Sequence, residues 1–133
     1  MRLELLSRGG LCQQLLDESL AYQLYMVERT GTLWENDSPA ASCDHGFASH
    51  GGVHVLFRDV LGFESVDQVH KKVKLRFADQ KLDRCEGSLP VPGGALVLRW
   101  HKDGKRLVYQ FKTPPDYSVE VSNESGLELV PGK

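Results

Sequence analysis

The chain has no concentration of basic residues: sixteen Lys and Arg stand against eighteen Asp and Glu, with both signs interspersed and a formal net charge of −2. Proteins that bind nucleic acid displace phosphate counterions with a basic stripe, so no nucleic-acid partner is expected. The densest run, Lys71-Lys72 with Lys74 and Arg76, alternates with apolar residues and reads as the wet face of a strand. No apolar run approaches the ~20 residues of a membrane-spanning helix. Met1-Arg2-Leu3-Glu4 lacks the charged-then-apolar layout of a signal peptide, so no membrane partner is expected either. Cysteine is scarce. Cys12, Cys43 and Cys85 are odd in number and none forms a CxxC pair, which argues against a disulfide framework and a zinc ribbon and leaves the compartment undecided. No serine sits in a GxSxG-type elbow, and there is no internal repeat or low-complexity tract.

What is present is ordinary globular sequence, 41% hydrophobic and 26% charged, rather than a composition that stays disordered. Its 133 residues suit one domain, or one domain and a piece of another. Residues 11–27 predict a helix. Leu11, Leu15, Leu16, Leu20, Leu24 and Val27 recur at three- and four-residue steps, Tyr22, Tyr25 and Met26 widen the stripe, and Arg29-Thr30-Gly31 ends it. So broad an apolar surface calls for neighbours on more than one side. Residues 36–49 read as a long loop. Val53, Leu56, Phe57, Val60 and Leu61 then mark a second helix that Gly62 stops.

From Lys71 onward the period switches to two. Val73, Leu75 and Phe77 alternate with polar residues, as do Leu96, Leu98 and Trp100, then Leu107, Tyr109 and Phe111, then Tyr117, Val119 and Val121, and Leu127–Val130 closes the series. Turn chemistry separates these runs at Pro90–Gly94, Lys102-Asp103-Gly104, Pro114-Pro115-Asp116 and Asn123–Gly126. Five or six short strands at this spacing imply an antiparallel β-sandwich or a small barrel of meander type. The expected class is therefore α+β, with a helical segment over residues 1–62 and a sandwich over 71–133.

Polar residues with chemical potential gather over 28–54: Glu28, Arg29, Trp34, Glu35, Asp37, Asp44, His45, His50 and His54. A carboxylate beside a tryptophan, followed by an Asp-His pair, is what a sugar site needs: an aromatic face to stack on the ring, a carboxylate to move a proton, an imidazole to bond hydroxyls. By residue type alone, a packed Trp34 beside an exposed Glu35 is the plainer reading. His50 and His54 are four apart at the head of a helix, a spacing that permits a shared metal ion. His54 lies next to the apolar stripe rather than opposite it, which favours a packed histidine, so no metal is expected. In the β part, His101 reads as a solvated residue at a hairpin tip. Trp100, Tyr109 and Tyr117 offer a sugar-stacking platform, although their alternating positions favour the core.

The run Tyr25-Met26-Val27-Glu28-Arg29-Thr30-Gly31-Thr32-Leu33-Trp34-Glu35 resembles a stretch of bacterial α-L-rhamnosidases and related glycosidases built on a six-hairpin (α/α)6 barrel. The loop Ser42–Ser49 running into Val53–Phe63 is similar to the segment entering that family's last barrel helix, and the Leu89–Gly94 turn before Ala95–Trp100 also resembles the family. In the family this helix leads into a C-terminal β-sandwich. The resemblance implies an inverting glycosidase that needs no cofactor, with Glu35 as general base, Trp34 lining the sugar site and His45 contacting the sugar. Asp44 stands where many relatives have asparagine. The family's general acid and most of its barrel lie upstream of the matching stretch. The expectation is thus the C-terminal part of a glycoside hydrolase, inactive alone and prone to self-association, whose partners in the full enzyme are an N-terminal barrel and a rhamnose-containing glycan. The alternative is an independent, non-catalytic carbohydrate-binding β-sandwich module built on Trp100, Tyr109 and Tyr117.

Overall fold

The structure, a computed structural model, describes residues 2–33 and 53–132, and the chain divides into two compact units, Met1–Leu56 and Phe57–Lys133. In the first unit, helix α1 (Arg2–Arg8) precedes α2 (Cys12–Thr30). The Gly9-Gly10 break closes α1 with paired bonds, Gly10 N–H to Ser7 O at 3.1 Å and Leu11 N–H to Leu6 O at 2.9 Å, which satisfy carbonyls a helix end leaves free. Gly31 caps α2 by donating to Val27 O at 2.8 Å, where the sequence pattern ends. Leu6, Leu15 and Val55 form a small core with Leu3 against it. Much of the predicted α2 stripe is not covered: Leu20, Leu24 and Val27 are 52%, 48% and 43% exposed.

The second predicted helix departs from α-geometry. Residues 53–55 are α-helical, and Leu56–Leu61 widens into a π-helix whose last bond runs from Gly62 N–H to Phe57 O at 3.2 Å. The wider turn buries Asp59, Val60 and Leu61 in succession, so an acid joins the face that the sequence pattern left to apolar residues. Gly62 stops the helix as expected. Its φ of 113° suits glycine, a Cβ there would lie 3.0 Å from Arg76 O, and its own carbonyl accepts Arg76 N–H at 2.9 Å.

The second unit is a sandwich of two sheets. One has strand order β1 (Phe63–Asp67), β2 (Lys72–Ala78), β6 (Ser118–Glu124). The other has order β3 (Arg84–Val91), β4 (Gly94–Asp103), β5 (Arg106–Lys112), β7 (Glu128–Pro131). The inward rows of β2, β4 and β5 are those the alternation marked, whereas in β6 the marked Val119 and Val121 are 40% and 39% exposed. Val73, Leu75, Phe77, Leu96, Leu98, Trp100 and Leu107 form one core with Leu61 and Phe63. Rings from the two sheets meet inside, Phe77 against Tyr109 at 5.0 Å and Phe63 against Phe111 at 6.2 Å between centroids.

Three features differ from the sequence reading. The sandwich starts ahead of Lys71, because β1 pairs with β2, and its pattern was hidden by having only Phe63 buried. β3 is absent from the sequence reading, which marks only the turn at Pro90–Gly94, because its inward position Gly87 carries no side chain: a Cβ there would lie 2.6 Å from Leu61 Cδ2, so Leu61 occupies that space. The connectivity is not a pure meander. β6 crosses to the first sheet and pairs parallel with β2, and β7 returns to pair parallel with β5.

Candidate functional site

Trp34, Glu35, Asp44 and His45, with Asp37 and His50, lie outside the described residues. Of the remaining polar candidates, Glu28 and Arg29 stand exposed on the last turn of α2, with the Arg29 guanidinium 4.4 Å from the Tyr25 ring centroid. His54 is exposed at the head of the following helix.

The segment that follows the candidate loop is anchored by a buried polar cluster. Asp59 is 1% exposed; its carboxylate accepts Arg76 Nη2 at 2.5 Å and Arg58 Nε at 3.0 Å. Arg76 also faces Glu124 at 3.4 Å and Glu64 at 3.9 Å. The alternation of β2 assigned Arg76 to a wet face. Lys72 and Lys74 are indeed exposed, but the Arg76 side chain is only 11% exposed because it turns onto Asp59. A helix end leaves carbonyls without intrahelical partners. Here Gln80 Nε2 donates to Val60 O at 2.8 Å and Trp100 Nε1 to Leu61 O at 3.0 Å, while Lys102 Nζ bonds Gln80 O. The sandwich thus fixes the end of the π-helix by charge, hydrogen bonds and the seating of Leu61 on Gly87.

This arrangement overturns the aromatic platform. Trp100 is 3% exposed with its indole N–H committed to Leu61 O, Tyr109 faces Phe77, and Tyr117 is buried with Lys71 Nζ 4.9 Å from its ring centroid. None of the three offers a face to a sugar. Desolvation pushes the Cys85 thiol up from its ordinary range, away from reactivity at neutral pH.

The outer face of the second sheet instead carries a depression of about 850 Å³, lined by Arg84, Glu86, Arg99 and His101 and also by the apolar Trp100 and Val108. Cross-strand register sets Arg84 beside His101 and places Arg99 between Glu86 and Gln110. His101 lies within β4 on this face rather than at a hairpin tip. Arg99 and Glu86 form an exposed ion pair at 3.3 Å. Sequence reading passed over this group because its members are spread over three strands, each locally an ordinary solvent-facing residue.

Helices followed by a two-sheet sandwich, in this order, give the architecture that the resemblance implied. Among solved structures, 98% of the chain matches a GH78 family rhamnosidase of Bacillus sp. GL1 with a TM-score of 0.77 and 22% identity. The chain spans 15% of the length of that protein, so it has the fold of a segment of a glycoside hydrolase. No model of a known protein family matches the chain, and no curated protein does.

Proposed function

We propose that this chain supplies the general base and part of the sugar site of an inverting glycosidase of the α-L-rhamnosidase type, completed by barrel helices and a general acid outside this chain. The observation that carries the reading is the fold match over 98% of this chain to 15% of a rhamnosidase. The sequence run through Trp34-Glu35 and the Asp44-His45 loop adds the residue types the chemistry requires. The uncovered apolar side chains Leu20, Leu24 and Val27 of α2 are the kind of surface a neighbouring helix hairpin buries.

In this reading the Glu35 carboxylate takes a proton from water as the water oxygen bonds to the anomeric carbon. The bond from that carbon to the leaving oxygen breaks on the opposite side, and the external acid protonates the leaving oxygen. The two carboxyl groups of an inverting pair stand roughly 6.5–9.5 Å apart, which leaves room for the water. Trp34 stacks on the sugar ring, and His45 and Asp44 bond its hydroxyls. Without the acid, the leaving group departs unprotonated and the base alone has little to act on. The chain by itself is therefore expected to show no turnover of an aryl α-L-rhamnoside. Hydrolysis by the isolated chain at a rate near that of an intact rhamnosidase would sink the proposal.

A further inference from the structure

We infer that the outer face of the β3-β4-β5 sheet binds a carboxylate-bearing saccharide. The inference concerns a different surface from Glu35 and does not depend on the reading of that residue. The depression of about 850 Å³ falls within the range of ligand sites. Its polar groups stand on paired strands, which fix their spacing better than a loop would.

Charge selects the ligand. Glu86 neutralises Arg99 at 3.3 Å, but among the described residues no carboxylate pairs with Arg84, which leaves one guanidinium uncompensated on the face. A planar guanidinium in that state suits a carboxylate, which it can hold through two parallel N–H bonds. A single spare guanidinium in the depression is too little for a nucleic acid, whose binding rests on neutralising many phosphates. Glu86 contributes acceptor oxygens, and Arg99 and His101 contribute donors. Hydroxyl groups both donate and accept, so a polyol meets this mixture in a way that a bare carboxylate, which only accepts, does not. Trp100 lines the depression but is only 3% exposed, which leaves a neutral glycan without an open aromatic face to stack on. A saccharide bearing hydroxyls and one carboxylate satisfies all three conditions.

The test is an amide NMR titration of the whole chain with a xylo-oligosaccharide bearing a single glucuronate, the same xylo-oligosaccharide without it, and acetate, repeated on Glu35→Gln. The glucuronate-bearing oligosaccharide is expected to shift the Arg84, Glu86, Arg99 and His101 amides in both proteins, with the two controls far weaker. Arg84→Gln should weaken binding about tenfold or more, while Lys74→Gln on the opposite sheet leaves it unchanged. Unaltered thermal melting separates loss of binding from loss of fold. The inference is overturned by an absence of shifts with the glucuronate-bearing oligosaccharide, by equal shifts with the neutral oligosaccharide or with acetate, or by wild-type affinity in a folded Arg84→Gln variant. Failure in any of these ways leaves the Glu35 proposal standing, because that site is read by hydrolysis.

Discussion

Asp59→Asn removes a buried charge while keeping nearly the same volume, and its cost can be worked from the neighbours. Asp59 is 1% exposed, and the Arg76 side chain facing it at 2.5 Å is 11% exposed. Breaking a buried pair by deleting one partner typically costs about 3–5 kcal/mol, since the survivor is left charged in a poorly solvated site. Arg76 would retain Glu124 at 3.4 Å and Glu64 at 3.9 Å, both half exposed, which softens the loss. The expected destabilisation is therefore about 3 kcal/mol, a large part of the ~5–15 kcal/mol available to a domain. For a unit of this size it lowers the melting temperature by roughly 10–25 °C. Urea unfolding followed by circular dichroism would measure it, with Arg76→Met and the double variant completing a cycle. The double variant should be more stable than the sum of the single losses predicts, because neither member of this pair is left charged alone. Arg58, 3.0 Å from the Asp59 carboxylate, loses it in both Asp59 variants, and that loss cancels from the coupling. A single-variant loss below about 0.5 kcal/mol, or a coupling energy near zero, would refute the idea that this pair anchors the π-helix to the sandwich.

Two other perturbations probe neighbouring parts of the account. Gly87→Ala places a methyl 2.6 Å from Leu61 Cδ2; displacing that side chain should cost about 1–3 kcal/mol, and Leu61→Ala in the same background should relieve part of the cost in urea melts. In the first unit, hydrogen bonds from Arg2 and then Gln14 hold the Glu18 carboxyl at about 2. A folded-state value below the unfolded one means that this contribution is fully present above the usual carboxylate range and is lost as pH falls towards 2. The α1–α2 contact should therefore loosen on acidification across that window, and Glu18→Gln should remove this component of the pH dependence. A side-chain carboxyl NMR titration that finds Glu18 at an ordinary value would refute it.

Much of the sandwich was legible because burial on one face imposes a period of two: Val73, Leu75 and Phe77, like Leu96, Leu98 and Trp100, turn inward as their alternation requires. What escaped was set by distant contacts. Gly87 looks like a strand breaker until Leu61 fills the space above it, and Arg76 looks solvated until Asp59, seventeen residues earlier, meets it. Turn residues such as Pro114-Pro115-Asp116 announce a change of direction but not which sheet receives the next strand, so the parallel pairings of β6 and β7 were not readable locally. The helical stripe was legible as a surface, but what covers it was not. Periodicity reports a surface that needs cover, and the described residues leave Leu20 and Leu24 uncovered. The candidate site was legible only through the order of short motifs, since Trp34-Glu35 and Asp44-His45 separately are ordinary pairs, and these residues lie outside those the structure describes.

The most direct test of the central claim is a chimera in which this chain replaces the matching segment of the Bacillus rhamnosidase, assayed on an aryl α-L-rhamnoside with Glu35 and with Glu35→Gln. If Glu35 is the general base, the substitution lowers kcat by about 10²–10⁴-fold with little change in KM, and the first-formed sugar from the active chimera has inverted anomeric configuration. Equal kcat in the two chimeras, or a product of retained configuration, would contradict the account.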